Sequence, residues 1–215
     1  QKVFLCVFLQ LFLNFVCVII AYFTPEVSNF IISDNGIAIL YFFCGILLFM
    51  TLLIFCFESL VKSHPTNLYY YSAYSVCTSY LITTVCVVTD PQIVLLAMIG
   101  TLVITLSLTL FAIQTKVDYT PCGAIMFMFL IILIFGGFIS SFLPHMKLFK
   151  LGWCLLGLFV FSFYIIIDVQ MIVGGAHIRF QFEESDYILA ALCLYLDIIN
   201  LFLRMIELLQ YCKDN

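Results

Sequence analysis

Two aspartates stand inside apolar runs near the end of the chain: Asp168 in FSFYIIIDVQMIV and Asp197 in ALCLYLDIINLFL. A carboxylate in hydrocarbon is costly unless it is paired, protonated or wet. Two of them on consecutive apolar segments point to one shared site. Carboxyl groups in contact share a proton and titrate as a pair. Losing that proton leaves two like charges, which can open a gap or hold a hard cation such as Ca2+. A pH-gated cation path is therefore the chemistry expected of Asp168 and Asp197. Two carboxylates make an incomplete Ca2+ cage, so a bound ion would keep water or borrow carbonyls. The plainer alternative is that each aspartate hydrogen-bonds a Ser, Thr or Tyr on a neighbouring helix.

The elements that must position this pair follow from composition. The chain has 215 residues, 65% hydrophobic and 9% charged, with a mean hydropathy of +1.23. A soluble domain carries about 25% charged residues, so this chain reads as one polytopic membrane domain covering 1–215. The net charge of −4 is thinly spread and argues against nucleic acid. Seven apolar segments are expected to span a bilayer as helices, at about 3–23, 37–57, 67–89, 92–114, 122–143, 150–173 and 187–209. The fold class is thus an all-α bundle of seven transmembrane helices. The first segment is too long for a signal peptide and no small-residue cleavage site follows it. The chain starts at Gln1, so a preceding tail is expected. Lys2, Lys62, Lys116 and Arg179 lie on alternate connections, which places the N-terminus in the cytosol. Lys147 and Lys150 disagree, and a re-entrant last segment would place both ends in the cytosol. Seven full spans is the preferred reading. No internal repeat of the kind found in transporters is evident.

The last segment carries more than one acid. Asp197, Asn200, Arg204 and Glu207 all fall within about 60° of the Asp186 direction at 100° per residue. This polar stripe is expected to support the aspartate pair, and Ser185 or Asp186 to cap the helix. Asp168 lies about 8 Å and Asp197 about 15 Å from the sixth connection, so both occupy the same half of the membrane. Glu183 and Glu184 beside Asp186 read first as a solvated loop, with attraction of cations as the alternative. Thr101, Thr105 and Thr109 form one face for packing. Gly136, Gly137, Gly152 and Gly157 are expected to admit close helix approach. Tyr69, Tyr70 and Tyr71 read as an interfacial belt, and Glu58 with Lys62 as an i, i+4 pair. His64, His145 and His177 show no metal-ligand spacing. The ten cysteines form no CxxC pair, and most read as small buried hydrophobes.

The run from Asp186 through Asp197-Ile-Ile-Asn200-Leu-Phe resembles the signature of the transmembrane Bax-inhibitor-motif family, closest to its lifeguard and Golgi anti-apoptotic branch. Lys2-Val3-Phe4, His64-Pro65-Thr66-Asn67-Leu68, Phe111 to Thr120 and Ile167-Asp168-Val169-Gln170 agree, as do Gly174-Gly175 and His177. The resemblance implies seven helices with a central C-terminal one. It also implies a pH-sensitive Ca2+ leak from Golgi or endoplasmic reticulum stores, with other endomembranes or the plasma membrane as alternatives, and inhibition of apoptosis. The family's aspartate pair maps onto Asp168 and Asp197, with Ca2+ as passing ion and no cofactor. Two departures are plain. Thr78 and Ser79 stand where some members have a third acid. Arg204 is unusual in its span, with Asp197 and Glu207 as its two candidate partners. The alternatives weighed are a non-conducting regulator binding apoptotic partners or other channels, and an intramembrane aspartyl protease. The protease reading conflicts with Ile167-Asp168 and Leu194-Tyr195-Leu196-Asp197, which lack the motifs of those enzymes, so no enzyme activity is expected.

Overall fold

The computed structural model describes residues 1–56, 62–142 and 147–213. Glu58, the expected partner of Lys62, and His145 lie outside the described residues. The helices are α1 (Lys2–Phe23), α2 (Pro25–Ile32), α3 (Asp34–Cys56), α4 (Thr66–Val88), α5 (Pro91–Gln114), α6 (Gly123–Phe142), α7 (Lys147–Val173) and α8 (Tyr187–Lys213). Short 3-10 turns, Thr120–Cys122 and Glu184–Asp186, precede α6 and α8. No strand occurs among the described residues. Seven of the helices are long and apolar enough to cross a membrane, at the positions expected from hydropathy. Phe8, Leu48, Leu102 and Phe138 are each more than half exposed, as side chains facing lipid are. The protein is a multi-pass membrane protein.

Two local features depart from expectation or resolve it. The first connection is itself a two-turn helix, α2, with Pro25 in its first turn, where a missing N–H is harmless. At about 12 Å it is too short to cross. The second is the length of α8. Its 27 residues extend for roughly 40 Å, long enough for a full crossing. The start of α5 follows expectation, with Pro91 leading and the Asp90 carboxylate accepting the Gln92 amide at 2.9 Å. The cysteines divide: Cys77, Cys86 and Cys154 are buried, whereas Cys212 at the end of α8 is exposed.

The chain forms two compact units, Gln1–Gln92 with Glu183–Leu192, and Ile93–Phe182 with Cys193–Asn215. In the first, α1 packs against α4, and α3 packs against α4. The α1–α4 seam is a polar ladder in constant register. Tyr71 donates to the Cys6 carbonyl at 2.7 Å, Gln10 to the Ser75 hydroxyl at 2.9 Å, Ser79 to the Asn14 side-chain oxygen at 2.7 Å, and Tyr22 to the Cys86 carbonyl at 2.7 Å. A separation of 64 or 65 residues at every rung requires the helices to run parallel. Small residues let the backbones approach, and hydrogen bonds supply the adhesion that hydrophobicity cannot supply in lipid. Replacing Asn14 by Ala is expected to lower stability by about 0.6–1.7 kcal/mol, measured by thermal melting in detergent. An unchanged melting temperature would show that the Ser75 carbonyl, 2.7 Å from the Ser79 hydroxyl, suffices as its acceptor.

The tyrosine belt is corrected by this seam. Tyr69 is exposed, as a belt residue should be. Tyr70 is buried and donates to the Met50 carbonyl of α3, while Tyr71 serves the ladder. A phenol at a helix start reaches a neighbouring carbonyl when that helix is close, and the sequence does not say which helix is close. In the second unit α6 packs on α7. Gly136 lies against the Trp153 ring, and Gly157 against the Arg204 stem. Gly152 faces nothing nearby, so close approach is not its role.

Candidate ion site

The second unit holds both intramembrane aspartates. Asp168 is carried by α7, five residues before its end, and Asp197 by α8. Both are buried, Asp168 at 8% exposure and Asp197 at 9%. The two carboxyl groups lie within hydrogen-bond reach of each other. A hydrogen bond between carboxyls needs a proton on one of them, because an ionised carboxylate only accepts. Asp197 Oδ2 is buried with no partner among the described residues. The pair therefore presents a buried acceptor without a partner beside a second carboxyl. Among the described residues no third His, Cys, Asp or Glu joins them. Two acids can attract a hard cation but cannot complete its shell of six to eight oxygens.

The neighbours of the pair sit one helical turn away. Tyr164, four residues before Asp168, and Cys193, four before Asp197, are both within electrostatic range of the two carboxyls. Sequence reading passed over both, although the i, i+4 spacing from each aspartate is the signal that finds them.

The rest of the expected stripe does not form one network. Asn200 donates to the Leu196 carbonyl of its own helix at 2.8 Å. Of its two candidate partners, Arg204 takes Glu207, at 2.7 Å. The Glu207 side chain is 51% exposed. In the first unit, Asp186 is buried and its carboxylate lies 3.6 Å from the Lys62 ammonium. That carboxylate, expected as a cap, meets a cation. Nearby, Lys2 lies over the Tyr187 ring at 5.6 Å, a cation–π contact. Thr101 is buried, and the Thr101 and Thr105 hydroxyls have no partner among the described residues.

The end of α7 that carries Asp168 is clamped by two loops. Gln170 is 2% exposed; its amide donates to the Val117 carbonyl and its oxygen accepts the Tyr119 amide, both at 2.8 Å. Asp118 between them accepts the Thr120 amide at 3.0 Å, the Thr120 hydroxyl at 2.7 Å and the Arg179 amide at 2.9 Å. Gly174, at φ +67, begins the return loop. A Cβ there would lie 2.6 Å from the Gln181 side-chain oxygen. Desolvation pushes the Asp118 pKa up, but the Thr120 and Arg179 hydrogen bonds and nearby His177 outweigh it and hold the carboxyl below its ordinary value. A carboxyl lowered on folding stabilises the clamp above its unfolded pKa and loses that effect as pH falls through the folded one. Amide-exchange protection at Arg179 and Thr120 is accordingly expected to fall below about pH 3.8, and Asp118→Asn to show weak protection at neutral pH. Protection that ignores both changes would leave Gln170 as the sole clamp.

Comparison with known proteins joins these observations. A family model described as inhibitor of apoptosis-promoting Bax1 matches residues 1–214. Protein lifeguard 3 of Homo sapiens is 25% identical over 212 residues, covering 97% of this chain and 67% of its own length. The Golgi anti-apoptotic protein of vaccinia virus (strain Lister) is 33% identical over 158 residues, 74% of this chain and 64% of its own. A BI1-like protein of Arabidopsis thaliana is 32% identical over 213 residues, 98% of this chain and 79% of its own. The chain thus spans about two thirds of the human and viral relatives. The matched residues take in all seven long helices and both buried aspartates, and the chain belongs to the family of inhibitors of apoptosis-promoting Bax1.

Proposed function

We propose that this protein is a pH-sensitive Ca2+ leak of intracellular membranes that lowers stored Ca2+ and thereby inhibits apoptosis, with Asp168 and Asp197 as its gate. The observation that carries the reading is the contact between two carboxyls, each less than a tenth exposed. With a shared proton the pair is a bond between α7 and α8. Without it, two anions face each other in a low dielectric, where repulsion is strong. Separation of the helices and entry of a divalent cation then relieve the same repulsion. Ca2+ is cargo here, held briefly with water completing its shell.

The names of the relatives support the setting. The viral relative is called a Golgi anti-apoptotic protein, and a Golgi or endoplasmic reticulum membrane is the proposed location. The bilayer and Ca2+ are the partners this reading requires; binding to apoptotic regulators or other Ca2+ channels belongs to the alternative of a non-conducting regulator. Nothing in the pair calls for bond-breaking chemistry, and the protein is proposed not to be an enzyme.

The test is Ca2+ flux through purified protein in liposomes at about pH 6 and pH 8. Flux that rises with pH supports the leak. Absence of flux at both values, with protein correctly inserted, overturns it in favour of the regulator.

A further inference from the structure

Asp168 and Asp197 occupy one level of the α7–α8 seam, whereas a leak needs a route through the whole membrane. The seam continues. On α7 the residues Cys154, Gly157, Phe161, Tyr164 and Asp168 recur at three- and four-residue steps, so they share a face. At its other level that face meets Arg204. A Cβ built on Gly157 would lie 2.8 Å from Arg204 Cδ, 2.9 Å from Nε and 3.0 Å from Cγ. The thiol of Cys154 donates to the Arg204 carbonyl at 3.0 Å. Arg204 lies seven residues beyond Asp197, about 10 Å along α8. Its guanidinium brings a positive charge to this level.

Two features set this arginine apart from a side chain reaching to the membrane surface. Its stem lies in a notch at Gly157 that a Cβ would crowd, and its side chain is 22% exposed against 51% for Glu207. An exposed i, i+3 pair needs no notch. The charge is held against α7, with Glu207 Oε2 at 2.7 Å as its counter-ion.

We propose that Arg204 is a fixed-charge plug at the far level of this seam, limiting cation passage, and that Glu207 sets how much positive charge it presents. The proposal rests on the leak reading above. A cation leaving the aspartate pair along the seam meets a guanidinium of like charge. Glu207 partly cancels the repulsion.

The test uses liposomes loaded with a Ca2+ indicator. Arg204→Gln is expected to raise Ca2+ flux on the order of tenfold, as removal of a repelling charge from a narrow route should. Glu207→Gln is expected to lower flux below wild type. Arg204→Lys keeps the charge and is expected to remain far below Arg204→Gln, which separates charge from packing. All three keep the response to pH, since the aspartates are intact. The proposal is overturned if Arg204→Gln conducts like wild type, or if Arg204→Lys rises as much as Arg204→Gln. With a wild type whose flux follows the aspartates, either result removes the plug alone. If neither wild type nor Arg204→Gln conducts, plug and leak fall together.

Discussion

Asp197→Asn is expected to give a Ca2+ flux that stays at its low-pH level from about pH 6 to pH 8, where the wild type rises by up to about tenfold per pH unit. The reason is local. The substituted amide keeps the shape and a hydrogen bond to Asp168, but it cannot become the second anion. The repulsion that would part α7 from α8 never develops, so the pair stays in its bonded form. Asp168→Asn is expected to behave in the same way, because the gate is a property of the pair. The double substitution should add little to either single one, as groups acting as a unit are not additive. Both aspartates are less than a tenth exposed, and an amide fills the same space, so folding should survive; monodisperse elution in detergent checks this. If both variants retain the wild-type pH profile, the carboxyls are adhesion between helices and the proton sensor lies elsewhere.

Gly136→Ala is expected to lower stability sharply for so small a substitution. A Cβ at this position would overlap the Trp153 ring, an approach no packed structure accepts. The indole is a rigid plate and cannot swing aside as a lysine tail would. It also stacks on Phe149, at a centroid separation of 6.0 Å. Either α6 moves away from α7 or the indole is displaced, and overpacking of this kind costs about 1–3 kcal/mol. Trp153→Ala alone is expected to cost about 3–5 kcal/mol by opening a cavity. In the double variant the added methyl enters that cavity, so the combined loss should fall below the sum. A thermal melt of wild type, both single variants and the double measures this directly. Strictly additive losses would mean that the indole and Gly136 are not in contact in the membrane. The same measurement on Gly152→Ala is the control, since nothing lies near that glycine.

Much of this architecture is legible in the residues. Long apolar runs can only be helices in lipid, because every backbone group must find a partner within its own segment. Breakers such as Asp90-Pro91 then mark the ends to within a few residues. The pairing of Asp168 with Asp197 is legible for a related reason. An acid in hydrocarbon needs a partner, and the order of the spans places both acids in the same half of the bilayer. The resemblance to a known family strengthened that reading, and the match over residues 1–214 bears out the membership.

What was not legible depends on which helices touch. Gln10 and Asn14 drew no notice as polar residues in an apolar run, although a spacing of four residues aligns them on one face. Their partners are 65 residues away, and no local pattern names α4 as the neighbour of α1. Tyr70 and Tyr71 look like surface anchors until Met50 and Cys6 are found within reach. The polar stripe of α8 holds as a helical pattern, yet its members make different bonds: Asp186 with Lys62, Asn200 with its own backbone, Arg204 with Glu207. Periodicity sets the direction of a side chain from its axis and says nothing of what occupies that direction. Seven spans, their approximate ends and the meeting of two acids follow from the residues alone, because hydrocarbon imposes those constraints on each segment separately. The ladder between α1 and α4, the notch at Gly157 and the counter-ion of Arg204 emerge only in the assembled fold, because close approach between helices depends on the packing of all of them together.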